Sequence, residues 1–187
     1  MSGKPVRAAF LLLSLALVPC AGRLRADAPP KPPPTRDELI AAARKRMAAQ
    51  TYCALVTLDG NGRPSVRTMN PFPPEEDMSV WFATNDRSRK VAEIRADPRV
   101  TIYYADHAKA SGYVTLSGRA VLVDDPAEIQ KRKRAYWDQS FPGLKNLVLI
   151  KVVPEKLEVL DYEGKIVVDP VTWRTPALDL GVAPKTP

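Results

Sequence analysis

Histidine is almost missing from this chain: His107 is the only one in 187 residues. Histidine triads and zinc sites built from several imidazoles are thereby excluded. Cysteine is as scarce, with Cys20 and Cys53 alone. If Cys20 leaves with the N-terminal segment, no intramolecular disulfide is possible. Cys53 sits in the apolar run 52–58 and reads as a small, inert core residue. No GxGxxG and no GxxxxGK stretch is present, so neither standard glycine-rich phosphate loop is available. The apolar run at residues 8–18 is only 11 residues long, too short to span a bilayer comfortably.

What is present begins with that run. Lys4 and Arg7 precede it, the form of a Sec-type secretory signal. Ala26-Asp27-Ala28 or the residues around Cys20 offer the cleavage site. A retained membrane anchor and a lipoprotein, from Leu17-Val18-Pro19-Cys20, are the alternatives. No twin arginine is seen. The expectation is an exported protein with residues 1–28 as signal or anchor. Lys4, Arg7, Arg23 and Arg25 against Asp27 place three of the seven net positive charges there. The moderate excess left over suits anionic ligands and falls short of a nucleic-acid footprint. Membrane contact is expected only if the N-terminal segment is retained.

Residues 29–34 read as a stiff proline-rich linker. Residues 35–170 read as one domain and residues 171–187 as a tail. Thr35 and Glu38 form a capping box that opens a helix through Leu39, Ile40, Ala43 and Met47, with Arg44, Lys45 and Arg46 as its wet face. Strands are expected at 52–58, 65–69, 78–83, 99–104, 112–123, 147–153, 156–162 and 166–168. Asp59-Gly60-Asn61-Gly62 makes the first hairpin turn, and Gly118 marks a bulge or close approach. Short helices are expected at 90–96 and from Asp125-Pro126 toward Tyr136. In the latter, Lys131, Arg132, Lys133 and Arg134 read as a solvated face. The fold class is mainly β with flanking helices: an antiparallel barrel with helices at its edges rather than a doubly wound parallel sheet.

The chemistry concentrates near one helix start. Arg67 lies on one strand, Thr84 ends the next, and Ser88, Arg89 and Lys90 open the helix beyond. If the two strands are antiparallel neighbours, Arg67 reaches this turn. Hydroxyls, free N–H groups and cations together make a phosphate site. A plain solvated helix start explains the same charges. His107 lies in a polar loop, where a haem or metal role competes with an ordinary loop position.

Val80-Trp81-Phe82-Ala83-Thr84-Asn85, Ser88-Arg89-Lys90 and Asp97-Pro98-Arg99-Val100 resemble the pyridoxamine 5'-phosphate oxidase family, in its general-stress-protein-26-like branch. Asp59-Gly60-Asn61-Gly62-Arg63-Pro64 fits upstream, and Tyr113-Val114-Thr115-Leu116-Ser117-Gly118-Arg119-Ala120 fits downstream. The resemblance covers about residues 36–162. It implies an FMN-binding split β-barrel and a homodimer with the flavin at the interface. Carried over by position, Arg67, Arg89 and Lys90 would grip the phosphate, with Thr84 and Ser88 adding hydroxyls beside Ala83. Thr68, Met69 and Asn70 would line the ring. Tyr113 falls where the family's oxidases place a glutamine near the flavin. Trp173 would stack on the ring from the partner subunit, or pack as an ordinary core residue.

The departures are specific. Phe72 stands near the position of the family's substrate-phosphate lysine. The later Tyr, Arg and Ser set and the C-terminal Arg-x-His pair have no clear counterpart. The resemblance therefore implies an FMN-dependent oxidoreductase acting on a small substrate other than pyridoxamine phosphate. The alternative is a non-catalytic carrier of flavin, deazaflavin or haem. No side chain stands out as acid or base. Tyr104 and Tyr113 are the candidates to orient a substrate, against plain packing for either.

Overall fold

The computed structural model describes residues 32–181. The signal or anchor expected at residues 1–28 lies outside them. Helix α1 (Arg36–Ala48) starts where the capping box places it. The Thr35 hydroxyl accepts from the Glu38 N–H at 3.3 Å, and the Glu38 carboxylate accepts from the Thr35 N–H at 2.7 Å. Leu39, Ala43 and Met47 pack into the core. The basic face is less wet than expected, because two arginines find partners. Arg44 donates to the carbonyls of Pro74 and Glu75 and ties down the proline-rich loop after residue 70. Arg46 pairs with Asp161 at 2.6 Å.

Seven antiparallel strands form one sheet: β1 (Cys53–Leu58), β2 (Pro64–Met69), β3 (Val80–Asn85), β4 (Arg99–Ala105), β5 (Gly112–Val123), β6 (Leu147–Asp161) and β7 (Ala177–Asp179). Their order is β2-β1-β4-β5-β6-β3, with β7 added on β6. Alternation puts one face of each strand inward, as the period of two requires. Leu55, Ile102, Leu116 and Leu157 lie in register across four strands, and all are fully buried. The end strands β2 and β3 are not hydrogen-bonded to one another, so the curled sheet is a split barrel, not a closed one.

Helix α2 (Arg89–Ala96) turns Val91, Glu93 and Ile94 inward. β3 is covered on both faces. Val80 and Phe82 enter the main core, while Trp81 and Ala83 join a second cluster with Ile129, Trp137, Leu147 and Leu149. Helices α3 (Pro126–Lys131) and α4 (Trp137–Ser140) support that cluster.

Several expectations are corrected. The helix opened by Asp125 ends at Lys131 instead of reaching Tyr136. Of its basic run, Lys131 and Lys133 are exposed, but Arg132 and Arg134 are not a solvated face. Arg132 stacks 3.7 Å from the Trp81 ring centre and pairs with Glu75 and Glu128. Arg134 stacks 3.9 Å from the Phe72 ring centre and donates to the Pro71 carbonyl. The two strands expected at 147–153 and 156–162 are one strand of 15 residues. Pro154 does not break it, because it sits at the register shift opposite Gly118, the kind of bulge where a strand accommodates proline. Residues 166–168 form only a bridge between Ile166 and Asp161. Ala177–Asp179, within the segment read as a tail, adds a strand to β6, and Leu178 and Leu180 pack on the core.

Candidate functional site: a cationic corner at the open edge of the barrel

Arg67 pairs in register with Leu55, so its side chain continues the buried leucine row at the barrel's open edge. A guanidinium there needs partners, and it has them. It donates to the Leu55 carbonyl at 3.2 Å, to the Thr57 hydroxyl at 2.6 Å and to Glu93 Oε2 at 2.7 Å. Two of its five N–H groups remain. Glu93 is 6 % exposed. Its Oε2 also accepts from the Thr57 hydroxyl at 2.5 Å. Burial alone pushes the Glu93 carboxyl up, but donation from Thr57, Ser65 and Arg67 outweighs it and holds the group below the usual carboxylate range.

Above this pair, Lys90 donates to the Thr84 hydroxyl at 2.8 Å, and Thr84 Oγ1 lies 3.5 Å from Ser88 Oγ. Ser88 is the N-cap of α2, yet its side chain makes no capping bond; its hydroxyl contact is the long one to Thr84. Burial pushes the Lys90 amine down, the neighbouring Arg67 charge pushes it further, and Glu93 pulls it partly back. Arg89 is three-quarters exposed and stands 3.1 Å from Glu93 Oε1.

Arg67, Thr84, Ser88, Arg89 and Lys90 are therefore brought to one corner, as the sequence suggested, but not by strand pairing. β2 and β3 occupy opposite ends of the sheet, and α2 bridges the gap between them. Met69 is buried in the core, Asn70 is half-buried just beyond it, and Thr68 points to the opposite, exposed face of β2. Ala83 faces the second cluster, away from Thr84. Glu93 and Thr57 went unread in the sequence. Both had a signal: Glu93 follows Arg89 by four residues, and strand alternation puts Thr57 on the inward face with Cys53 and Leu55.

Tyr113 belongs to a different place. Leu116 is the β5 residue in the Arg67 row, three positions on, so Tyr113 faces the other side of the sheet. It is also three strand spacings from β2, roughly 14 Å along the hydrogen-bonding direction. Its ring lies 5.6 Å from Tyr103, and its hydroxyl lies 2.7 Å from Thr175 Oγ1. Tyr103 in turn neighbours the exposed His107 at 6.0 Å. Trp173 is close in sequence to Thr175 and is 77 % exposed, so it is no core residue of this chain. It has φ 58°, in a turn where Asp169 accepts the N–H groups of Val171 and Thr172. Tyr104 is buried in the core. Cys53 is buried beside it, its thiol pushed up to about 12 by burial against a hydrogen bond with Tyr104, which makes it a poor nucleophile.

Fold and corner together define a split β-barrel protein with a cluster of three cations around one buried carboxylate at its open edge. The chain belongs to the pyridoxamine 5'-phosphate oxidase family, whose family model matches residues 39–161. Comparison with curated proteins gave no match. Among solved structures, a Clostridium acetobutylicum protein related to general stress protein 26 of Bacillus subtilis is similar at TM-score 0.63 and 14 % identity, covering 78 % of this chain and 96 % of its own. A Nostoc punctiforme protein described as pyridoxamine 5'-phosphate oxidase-related and FMN binding is similar at TM-score 0.54 and 19 % identity, covering 80 % and 98 %. A heme binding protein from Mycobacterium smegmatis is similar at TM-score 0.56 and 15 % identity, covering 74 % of this chain and 57 % of that one.

Proposed function

We propose that this protein binds FMN at the corner formed by β2, β3 and α2, and that it is an FMN-dependent oxidoreductase. The observation that carries the reading is the charge balance there. Arg67, Arg89 and Lys90 face one carboxylate, Glu93, so two positive charges remain. A phosphate monoester carries about two negative charges near neutral pH. The Ser88 hydroxyl, held by its long contact to Thr84, the Thr84 hydroxyl and the free N–H groups at the start of α2 supply hydrogen bonds of the kind a phosphate takes. The described relative from Nostoc supports the choice of flavin. FMN when bound would supply the electron chemistry, and this chain's residues would hold and orient it.

Phe72 argues against pyridoxamine phosphate as substrate. It stands near the position where the family's oxidases place a lysine, and it packs edge-on against Trp137 at 6.1 Å. The substrate is then a different small molecule. We place the flavin between two copies of the chain, because Tyr113 faces away from the Arg67 corner of its own chain and Trp173 stands largely in solvent, as a ring that a partner covers would. Export by a Sec-type signal at residues 1–28 belongs to the same proposal. Sequencing the N-terminus of the mature protein from a periplasmic fraction checks that part.

The test is a spectrum of the purified protein followed by titration with FMN. A flavin spectrum and saturable uptake are expected. Arg89→Ala and Lys90→Ala should each weaken binding about tenfold or more, the worth of a charge-assisted hydrogen bond. A protein that takes up no FMN overturns the reading. Stoichiometric FMN that no nicotinamide donor reduces would leave a carrier instead of an enzyme. Uptake of haem or a deazaflavin in preference to FMN would reassign the cofactor.

A further inference from the structure

Glu93 has a place in this corner that phosphate binding alone does not account for. It is a buried carboxylate among three cations, and its two oxygens are treated differently. Oε2 is held on both sides, by Thr57 at 2.5 Å and by Arg67 at 2.7 Å. Oε1 is buried without a well-formed hydrogen bond; the Arg89 Nε lies 3.1 Å from it, in an ion pair whose arginine is three-quarters exposed, and Ser65 adds a donation to the carboxylate. The two arginines differ in the same way. Arg67 is fixed by three hydrogen bonds with 17 % of its side chain exposed, whereas Arg89 has only this contact to lose.

We infer that Glu93 is a built-in counter-anion that occupies the site electrostatically when no phosphate is bound and competes with the phosphate for Arg89. This rests on the anion-site reading proposed above and adds a residue that sets affinity. Without ligand, Glu93 offsets the repulsion among Arg67, Arg89 and Lys90. When a phosphoryl group enters, Arg89 swings from Oε1 to the ligand, while Oε2 keeps Arg67 aimed at the site. The contact that is broken is the poorly formed one, and the contacts that persist are the well-formed ones. No bond is made or broken, and no proton needs to move.

The consequence is opposite to that of removing a ligand-binding group. Glu93→Gln keeps the shape and removes the opposing charge, so it should bind more tightly. A few ångströms from the ligand at the partly screened interior of a protein, one unit charge is worth about tenfold or more in affinity. The experiment titrates wild type, Glu93→Gln and Glu93→Asp with FMN, riboflavin and orthophosphate, and records melting curves with and without phosphate. Glu93→Gln should bind FMN and orthophosphate about tenfold more tightly and should melt earlier without ligand, with phosphate restoring the loss. Glu93→Asp keeps the charge and should show no gain. Riboflavin, which lacks the phosphate, should be indifferent to the change. Unchanged or weaker phosphate binding by Glu93→Gln overturns the inference while wild-type FMN binding leaves the anion site standing. If wild type binds neither FMN nor phosphate and Glu93→Gln binds phosphate, the counter-anion is supported and the flavin reading falls; if neither protein binds, both fall. Should Glu93→Gln not fold, the wild type still decides. Its Arg89 Nε–H resonance must shift on saturation with orthophosphate, and an unmoved resonance overturns the proposal.

Discussion

Lys90 shows how one residue's surroundings become a measurable property. Its amine is half-buried and sits beside Arg67, and both effects lower its basicity. A lysine with a depressed folded value disfavours the folded state while it is charged, and the penalty fades as pH rises from that value to the ordinary lysine value. Phosphate binding needs the charged form. FMN affinity should therefore hold through neutral pH and fall on the alkaline side sooner than an ordinary lysine would allow. Lys90→Met should weaken binding at neutral pH and flatten that alkaline fall; a fall of unchanged shape in the variant would assign it to another group. Glu93 governs the acid side. Its folded value is depressed, so its contribution to stability is fully present above the ordinary carboxylate range and is lost as pH drops through the depressed value. Acid melting curves of wild type should accordingly steepen below that range, and those of Glu93→Gln should lack this component. Lys90 was legible in the sequence because cations next to a helix start announce themselves. Glu93 was not, because an acidic residue in a short helix looks like surface until the chain folds around it.

At the scale of elements, β5 and β6 carry the architecture, and their junction depends on two residues. Gly118 lies opposite Pro154 at the register shift. A Cβ on Gly118 would stand 2.1 Å from the Val153 carbonyl oxygen and 2.7 Å from the Pro154 Cα. Both obstacles are backbone, so the strands themselves would have to part. Gly118→Ala is expected to destabilise by about 3 kcal/mol, the upper end for overpacking, which urea unfolding would measure. Gly60→Ala serves as the control, since nothing lies within 4 Å of a Cβ there. The sequence signalled the close approach at Gly118 but misjudged its partner. Proline normally argues against a central strand, so residues 147–162 read as two strands. The bulge absorbs Pro154, and the strand runs on. The basic run after Ile129 misled for a related reason. Charge density suggests solvent, yet Arg132 and Arg134 lay their planar groups on Trp81 and Phe72, contacts that only tertiary structure supplies. The capping box at Thr35 and the turn at Asp59-Gly60-Asn61-Gly62 were readable because they are settled within a few residues.

On the whole molecule, the candidate residues fall into two groups. Arg67, Thr84, Ser88, Arg89 and Lys90 gather at the open edge of the barrel. Tyr113 lies on the other face, three strands from β2, and bonds Thr175; Trp173 stands two residues before Thr175 in an exposed turn. Trp173 is held in a defined turn yet left largely in solvent, as is its neighbour Val171 at 85 %. Large apolar side chains fixed in exposed positions are the expected raw material of an interface. A two-fold dimer would set the first group of one protomer against the second group of its partner, giving two equivalent sites. This arrangement makes a prediction that no monomeric site can meet. Lys90→Ala should cripple the first group, and Trp173→Ala the second, so each variant alone should bind FMN weakly. Mixed and allowed to exchange subunits, the two variants form hybrids in which one site carries both defects and the other carries none. With random pairing, about a quarter of all sites should regain wild-type affinity. Fluorescence titration of the mixture resolves that fraction as a tight phase absent from either parent. A mixture that binds as the average of its parents would show that each site is built from one chain, and the flavin would then have to be held at the Arg67 corner without Tyr113 or Trp173.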